Sequence, residues 1–396
     1  MHVAVLSQTL DRPAGPEPAA VPPAHPGVAG RSPRVLIVSG SVGAGHDGAA
    51  RELAARLTAT GAQVFVRDFL DAVPHPIARL LRDGYTGTVG YVPALFELLY
   101  QRLEHRGLLW SVEQWVCSTA TATVRRWVDT TAPDLVVSTY PLASQTLGDL
   151  RGAGKLTAPL LTYLTDPAVH VSWLHPAVDA HLAVTAATAA QGLAEHGVHC
   201  TVAGPLVPHR FSVPLELADL VELRNGIGLT AARPVALLVA GSLGLGDMAS
   251  AAADVESAGL TPLVLCGRNE RLRRSLSAQP GVVTLGWRSD VHRLMQLADV
   301  LVQNAGGLTC TEAMVAGLPA VTYRAIPGHG RANAAVLHES GAAPWARNRS
   351  ELAGLLHAQL GRDRTPPVLG DPTGHVLAAL PVVPARSARL AERRAA

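Results

Sequence analysis

The sequence predicts an α/β protein made of two doubly wound domains that face each other across a cleft. Three observations support this prediction. The chain has 396 residues, more than one ordinary domain contains. Short aliphatic runs, typical of parallel strands buried on both faces, alternate with helical segments. This alternation stops and restarts between residues 204 and 234, a segment with several prolines, so we place a domain boundary near residue 205.

Each half of the chain opens on a buried strand. Residues 35–38 form the first strand, a glycine-rich turn follows, and residues 49–57 form a helix that ends near Gly61. Residues 64–66 return to the sheet and complete a βαβ unit. Ligands are expected at the carboxyl ends of such strands. Later strands are predicted at residues 135–138, 160–164, 181–184, 235–239, 263–265, 282–285, 300–302 and 320–322.

Composition and proline content divide the rest of the chain. Residues 1–33 are proline-rich and are expected to form a disordered leader. Residues 34–205 form the N-terminal domain, residues 206–370 the C-terminal domain, and residues 371–396 a basic tail. No signal-peptide pattern is present and apolar runs stay below about 18 residues. We therefore expect a cytoplasmic protein, peripheral on the inner face of the cell membrane.

Composition also excludes several chemistries. The net charge of +2 is too small to favour a nucleic-acid partner. Lys155 is the only lysine and is followed by Leu156, so a lysine-dependent phosphate loop is excluded. The 4 cysteines have no zinc spacing, and no pair of histidines has a third ligand at a suitable separation. We expect no metal site.

The turn after the first strand is a candidate site. Gly43 and Gly45 allow backbone amides to approach an oxygen-rich ligand, and His46 follows at a helix start. A helix N-terminus disfavours the imidazolium, so His46 would be a neutral general base. A dinucleotide site, with Asp68 or Asp71 on the ribose, explains the same turn, and so does a merely structural turn. The residues alone leave these three interpretations open.

A carboxyl group follows a second strand of this half. Asp166 comes directly after the strand at 160–164, where it could orient His46 or hold an acceptor hydroxyl. It could equally start a turn before Pro167. Both interpretations stay open.

The turn after the strand at 300–302 is more specific. Backbone amides of residues 306–309, that is Gly306, Gly307, Leu308 and Thr309, together with the helix dipole, form a diphosphate site that needs no lysine. Glu312 could accept hydrogen bonds from both hydroxyls of a ribose. The same spacing from Thr309 also fits a capping box, in which Glu312 binds only a backbone N–H.

Taken in order, these turns resemble glycosyltransferase family 28, most nearly the monogalactosyl- and glucosyl-diacylglycerol synthases. The resemblance spans residues 34–345. It is carried by Ser39-Gly40-Ser41-Val42-Gly43-Ala44-Gly45-His46, Leu164-Thr165-Asp166-Pro167, Val239-Ala240-Gly241-Ser242, Cys266-Gly267-Arg268-Asn269, Asn304-Ala305-Gly306-Gly307-Leu308-Thr309, Glu312-Ala313 and Ala316-Gly317-Leu318-Pro319.

The resemblance implies a GT-B fold of two Rossmann-like domains, with a UDP-sugar donor in the second and an acceptor in the first. It implies an inverting, metal-free reaction without a cofactor, in which helix-end amides stabilise the departing UDP. His46 would be the base, Ser242 and the 306–309 amides would bind diphosphate, and Glu312 would bind ribose. Trp287 and Arg288 would line the uracil pocket.

Two departures from the family pattern concern the donor. The family shows Pro-Gly-Gln-Glu followed by Asn in its donor-sugar loop, whereas residues 327–333 lack both the Gln and the Glu. His329 and Asn333 are the donor-binding candidates that remain there. At the interdomain crossing, where the family has Arg after Pro-Val, this chain has Pro208, and Arg210 is the substitute phosphate ligand.

The acceptor is expected to be a diacylglycerol-like lipid drawn from a membrane. Residues 65–127 hold nine aromatic residues with arginines interleaved, and residues 386–394 add basic charge. Ordinary core helices and a solvated tail are the alternatives. A soluble acceptor, a UDP-sugar 2-epimerase, a silent nucleotide-sugar binder and a nicotinamide dehydrogenase are the alternative functions.

Overall fold

The computed structural model describes residues 31–91, 93–105, 107–229, 232–239, 246–364, 366–367 and 369–381. Of the expected leader, only Arg31, Ser32 and Pro33 belong to these residues, and Arg31 forms a bidentate pair with Asp134 at 2.8 and 2.9 Å. Ser242 and residues 382–396 of the basic tail lie outside the described residues.

The first lobe is a six-stranded parallel sheet flanked by helices. The strand order is β2-β1-β3-β4-β5-β6, so the chain direction across the sheet changes between β1 and β3. The strands are β1 (Arg34–Ser39), β2 (Gln63–Asp68), β3 (Leu135–Ser138), β4 (Leu160–Tyr163), β5 (Ala180–Ala183) and β6 (Cys200–Val202). The helices are α1 (Ala44–Ala59), α2 (His75–Tyr91), α3 (Pro93–Glu104), α4 (Leu108–Thr131), α5 (Pro141–Gly152) and α6 (Ala186–His196).

The second lobe repeats this architecture. Its strand order is β12-β11-β10-β7-β8-β9, with the change of direction between β7 and β10. The strands are β7 (Val235–Val239), β8 (Thr261–Leu265), β9 (Val283–Leu285), β10 (Val300–Gln303), β11 (Ala320–Tyr323) and β12 (Trp345–Ala346). The helices are α7 (Leu217–Gly226), α8 (Met248–Ser257), α9 (Glu270–Ser277), α10 (Val291–Leu297), α11 (Gly307–Val315), α12 (His329–Glu339), α13 (Arg349–Leu360) and α14 (Pro372–Ala378).

Alternation of side chains along the central strands explains the layers. In β1, Leu36 and Val38 belong to one hydrophobic cluster, whereas Val35 and Ile37 belong to the cluster on the opposite face. Both faces are covered by helices, so every second residue of the strand is apolar on each side. The continuous aliphatic run in the sequence follows from this double burial.

The predicted strands are all present, and two further strands were not predicted. These are β6 and β12, of three and two residues, and each lies at an edge of its sheet. Such short edge strands carry no aliphatic run, because only one neighbour pairs with them and much of their surface is exposed.

The end of the described chain returns to the first lobe. Residues 371–381, which we grouped with the basic tail, include helix α14, and its Val376 and Leu377 are buried in the first lobe's core beside β1. Asp371 pairs with Arg56 of α1 at 2.9 Å. Burial of these apolar side chains is the reason that this segment is not a solvated tail. The boundary near residue 205 stays a prediction.

The aromatic segment has buried, half-buried and exposed members. Phe69 is buried and Trp127 packs against the first lobe's core, whereas Trp115 is 58% exposed. The side chains of Tyr85 and Tyr91 lie outside the described residues. Among the helices described here, none is long and apolar enough to span a bilayer.

Candidate active site

A cleft of about 510 Å³ separates the two lobes. Its walls are the turns at the carboxyl ends of β1, β3 and β4 on one side and of β8, β9 and β10 on the other, which is where parallel sheets bind ligands. Most of the predicted site residues line it: Gly43, Gly45, His46, Asp166, Trp287, Arg288, Gly306, Gly307, Leu308, Thr309, Glu312 and His329. Arg210 and Asn333 do not.

Two helix N-termini without side-chain caps meet in this cleft. Helix α1 begins after Gly43 and α11 after Gly306, and neither has a side-chain cap hydrogen bond. The amides of each first turn therefore remain available to a negatively charged ligand, which the helix dipole also favours. The helices approach closely: a Cβ on Gly48 would lie 3.2 Å from the Leu308 side chain.

The approach is closest at Gly307. A Cβ there would lie 2.6 Å from the Thr165 carbonyl oxygen and 2.8 Å from Asp166 Oδ1. Only glycine allows the two lobes to come this close. The turn after β10 in the second lobe thus packs directly on the first lobe's β4 turn.

His46 lies in the first turn of α1, at the point where the strand order of the first sheet changes. Its Nδ1 is 2.9 Å from the Thr139 carbonyl oxygen, which can only accept, so Nδ1 carries the proton and donates. The Thr165 hydroxyl is 3.0 Å from the same nitrogen. This tautomer leaves the lone pair on Nε2, the arrangement that a general base requires.

The surroundings of His46 keep it neutral. Burial lowers the pKa of the imidazole, and the nearby charge of Asp166 opposes this shift only in part. The rings of Tyr140 and Trp173 lie 5.1 and 5.7 Å from its ring and fix its plane. A neutral imidazole at physiological pH is ready to accept a proton.

Asn333, which we predicted to bind the donor, is fully buried, and the three hydrogen bonds of its amide are made within the protein. The donor-binding assignment stays a prediction. Its Nδ2 donates to the Ala305 carbonyl at 3.0 Å and to Asp166 Oδ1 at 3.2 Å, and its Oδ1 accepts from the Ala168 amide at 2.9 Å. Asn333 therefore joins α12 to the β4 turn of the other lobe.

Glu312 faces the cleft from α11. Burial raises its pKa to about 8, and the positive charge of Arg210 opposes the shift. The capping-box interpretation fails, because α11 begins at Gly307 with Gly306 as its cap, so Thr309 is already inside the helix. The Glu312 carboxyl is thus not required to cap its own helix.

The predicted uracil residues follow β9. Trp287 is 54% exposed, and the Arg268 guanidinium lies 4.9 Å from its ring centre. Arg288 is held by Asp290, with Nε donating to Oδ1 at 2.7 Å, so its side chain is engaged within the protein. Arg210 is exposed outside the cleft, close enough to Glu312 to influence its pKa.

The loop at residues 327–333 contacts helix α3, which the sequence did not connect with it. The Gly328 amide donates to Glu97 Oε2 of α3 at 2.8 Å, and Arg331 pairs with the same oxygen at 3.3 Å. A Cβ on Gly328 would lie 2.7 Å from the Phe96 ring, and Phe96 and His329 meet edge to face. Phe96 and Glu97 belong to no motif, and only their place in the aromatic segment pointed to them.

The geometry defines a class of protein. Two Rossmann-like lobes face each other, and the cleft between them lies where the strand order of each sheet changes direction. This architecture is the GT-B fold. Superposition on solved structures of glycosyltransferases supports this fold. MurG of Acinetobacter baumannii superposes with a TM-score of 0.50 at 19% identity, covering 88% of this chain and 99% of that one. HepE of Anabaena in complex with UDP-glucose gives 0.52 at 15% identity, covering 88% and 93%.

Sequence comparison narrows the class. Residues 46–204 match the family model of monogalactosyldiacylglycerol (MGDG) synthase, and residues 236–353 match that of glycosyl transferases group 1. The processive diacylglycerol beta-glucosyltransferase of Bacillus cereus (strain G9842) is 24% identical over 377 residues, covering 88% of this chain and 94% of the relative. The resemblance to glycosyltransferase family 28 is confirmed: this chain is a glycosyltransferase related to the diacylglycerol glucosyltransferases.

Proposed function

We propose that this protein transfers a hexose from a UDP-sugar to the hydroxyl of a diacylglycerol-like lipid at the membrane surface, with inversion and without a metal. The observation that carries the proposal is the neutral His46 placed across the cleft from the uncapped N-terminus of α11. One lobe thus offers a base for an alcohol, and the other offers amides for a diphosphate.

In the proposed reaction, the acceptor oxygen attacks the anomeric carbon while its proton passes to His46 Nε2. The bond from that carbon to the diphosphate oxygen breaks, and UDP leaves with the electron pair. Attack opposite the leaving group inverts the anomeric carbon. Amides of Gly307, Leu308 and Thr309 would stabilise the charge on the departing diphosphate in place of a cation.

Donor binding in the second lobe has further support. Glu312 faces the cleft from the same helix, where a carboxylate can accept hydrogen bonds from both ribose hydroxyls. Trp287 and Arg288 lie at the end of β9, where they could contact the uracil ring of the donor. The related HepE was solved with UDP-glucose, which fits a UDP-sugar as donor here.

An apolar face on the first lobe supports a membrane-bound acceptor. On α4, Leu108, Val112 and Trp115 are exposed at helical spacing, and α3 exposes Leu95 and Leu98. Further exposed side chains on these two helices and α2 include Leu80, Arg79 and Arg102. The name docking face is used below for the following exposed side chains: Leu80, Leu95, Leu98, Leu108, Val112 and Trp115. It suits an anionic lipid surface, because basic groups flank apolar side chains.

The first experiment measures transfer directly. We expect glucose transfer from UDP-glucose to diacylglycerol in the presence of EDTA, with a β-linked product that NMR identifies. Among UDP, ADP and GDP, only UDP should raise the melting temperature. An α-linked product would contradict inversion, and loss of activity in EDTA would contradict the metal-free reaction. Transfer only to soluble alcohols, or epimerisation without transfer, would contradict the lipid acceptor.

Removal of apolar side chains from the docking face should weaken membrane binding. Leu108 is 82% and Trp115 58% exposed, so the double substitution Leu108→Ser and Trp115→Ser should leave the melting temperature nearly unchanged. We expect binding to phosphatidylglycerol vesicles, measured by flotation, to fall by roughly 10-fold or more. Turnover with a short-chain, water-soluble diacylglycerol should be retained.

Leu217 provides the matched control. It is 76% exposed on α7 of the second lobe, away from the docking face. Leu217→Ser should leave vesicle binding unchanged. Equal losses in both variants would show that general surface hydrophobicity, not this face, determines binding.

A further inference from the structure

Glu113 of α4 is a buried carboxyl group in the first-lobe wall of the cleft, and the proposed reaction gives it no role. Its Oε2 accepts a hydrogen bond from the Ser172 hydroxyl at 2.9 Å. Its Oε1 is buried and, within the described ranges, has no hydrogen-bond partner. An unpaired buried oxygen is costly to a protein unless a ligand satisfies it.

Ser172 fixes the orientation of this carboxyl group. The Ser172 amide donates to His170 Nδ1 at 3.2 Å, and its carbonyl accepts from Gln145 Nε2 at 2.9 Å. With backbone and hydroxyl all engaged, the residue cannot turn away from Glu113. Ser172 therefore holds Oε2, which leaves Oε1 without a partner among the described residues.

Glu113 and His46 line the same cleft, and Ser172 connects them along the chain. Ser172 precedes Trp173, whose ring lies 5.7 Å from that of His46. The same wall carries the apolar side chains of Leu103, Leu142 and Trp173. Glu113 would offer a hydrogen-bonding partner to a polar group of an acceptor bound in the cleft.

The protonation of Glu113 suits an uncharged ligand. Burial raises the pKa of its carboxyl to about 7, although the hydrogen bond from Ser172 opposes the shift. Near neutral pH the group can donate to an ester carbonyl as an acid or accept from a hydroxyl as a carboxylate. In glycerol derivatives, ester carbonyl groups and further hydroxyl groups flank the free hydroxyl.

We propose that Glu113 selects the acceptor, by hydrogen-bonding a second oxygen next to the hydroxyl that receives the sugar. The inference rests on the proposed function and deepens it. The acceptor class is then an alcohol flanked by an ester or a second hydroxyl, and a simple long-chain alcohol is discriminated against. A site built to bind an oxygen rejects the analogue that lacks it, because its own polar group stays unpaired.

The test compares two acceptors, a short-chain diacylglycerol and a simple alkyl alcohol, with wild-type protein and with Glu113→Leu and Glu113→Gln. We expect the wild type to prefer the diacylglycerol. Glu113→Leu should raise KM for diacylglycerol by about 10-fold at nearly unchanged kcat, and leave the alcohol's kinetics unchanged. Glu113→Gln, which can still donate and accept, should restore part of the preference even if the leucine variant folds poorly.

Asp129 is the matched control on the same helix. Its carboxyl group is exposed, pairs with Arg125 at 3.5 Å and lies outside the cleft wall. Asp129→Leu should keep the wild-type preference. Equal losses for both acceptors in the Glu113 variants, or an unchanged preference, would overturn the inference. If the wild type glycosylates neither lipid, the proposed function fails and the inference falls with it.

Discussion

Replacement of His46 by alanine is expected to lower kcat by roughly 100- to 10,000-fold, the usual contribution of a general base. The structure gives the reason: the Thr139 carbonyl oxygen holds Nδ1 protonated, so Nε2 is the atom that receives the acceptor's proton. Binding of UDP should be retained, because the residues proposed to hold it belong to the second lobe. Transfer assays and UDP titration by calorimetry measure the two effects separately.

The pH dependence gives a second readout for His46. Burial lowers its pKa, so the imidazole stays neutral until the pH falls below its ordinary value of about 6.5. We expect kcat at saturating donor to fall on the acid side with a midpoint below that value. The residual activity of His46→Ala should lack this acid limb.

His181 is the matched control for this substitution. It is a buried histidine on β5, outside the cleft, and burial lowers its pKa to about 4. His181→Ala should reduce the melting temperature while kcat stays close to the wild-type value. A full rate in His46→Ala would exclude His46 as the base, whereas a wild type that binds UDP without any transfer would favour a catalytically silent nucleotide-sugar binder.

The site residues that could be predicted are those that follow buried strands. His46 and Glu312 lie on the helices that follow β1 and β10, whose aliphatic runs reveal the strand ends, and the topology then brings these ends to one cleft. The fold was predictable for the same reason. Double burial of parallel strands produces a pattern that is local in sequence.

The residues that could not be predicted act through distant contacts. The Thr139 carbonyl that sets the tautomer of His46 is 93 residues away in sequence, and any residue type supplies a carbonyl. Glu97, on a helix without a motif, accepts a hydrogen bond from the Gly328 amide 231 residues away. Asn333 Oδ1 accepts from the Ala168 amide of the other lobe, 165 residues away, and its donor-binding pattern does not reveal this contact. Pairings between lobes leave no periodic signal in the sequence.

Replacement of Glu312 by glutamine is expected to weaken UDP binding by roughly 10- to 100-fold, since hydrogen bonds to a charged group are among the strongest in proteins. The ribose hydroxyls would donate to the ionised carboxylate. Because burial raises the pKa of Glu312 to about 8, much of the ligand-free protein carries the protonated form at pH 7. UDP affinity in the wild type should therefore rise as the pH increases towards 8, with proton release on binding. Both effects are measurable by calorimetry in buffers of different ionisation enthalpy.

The same raised pKa predicts a change in stability. A carboxyl group whose pKa is higher in the folded state stabilises the fold fully below its unfolded pKa, and this contribution is lost as the pH rises through about 8. Glu312→Gln cannot ionise, so its ligand-free melting temperature should fall less between pH 6 and 9. Exposed Glu222 of α7 is the matched control, and Glu222→Gln should change neither affinity nor this pH dependence.

A comparison of UDP with 2′-deoxy-UDP isolates the ribose contact. The wild type should discriminate against the deoxy nucleotide, because one hydrogen bond to the Glu312 carboxylate is lost and that oxygen stays unpaired. Glu312→Gln should discriminate less, because its amide has already lost part of the interaction. If both proteins discriminate equally, another group binds the 2′-hydroxyl and the raised pKa of Glu312 serves a purpose other than donor recognition.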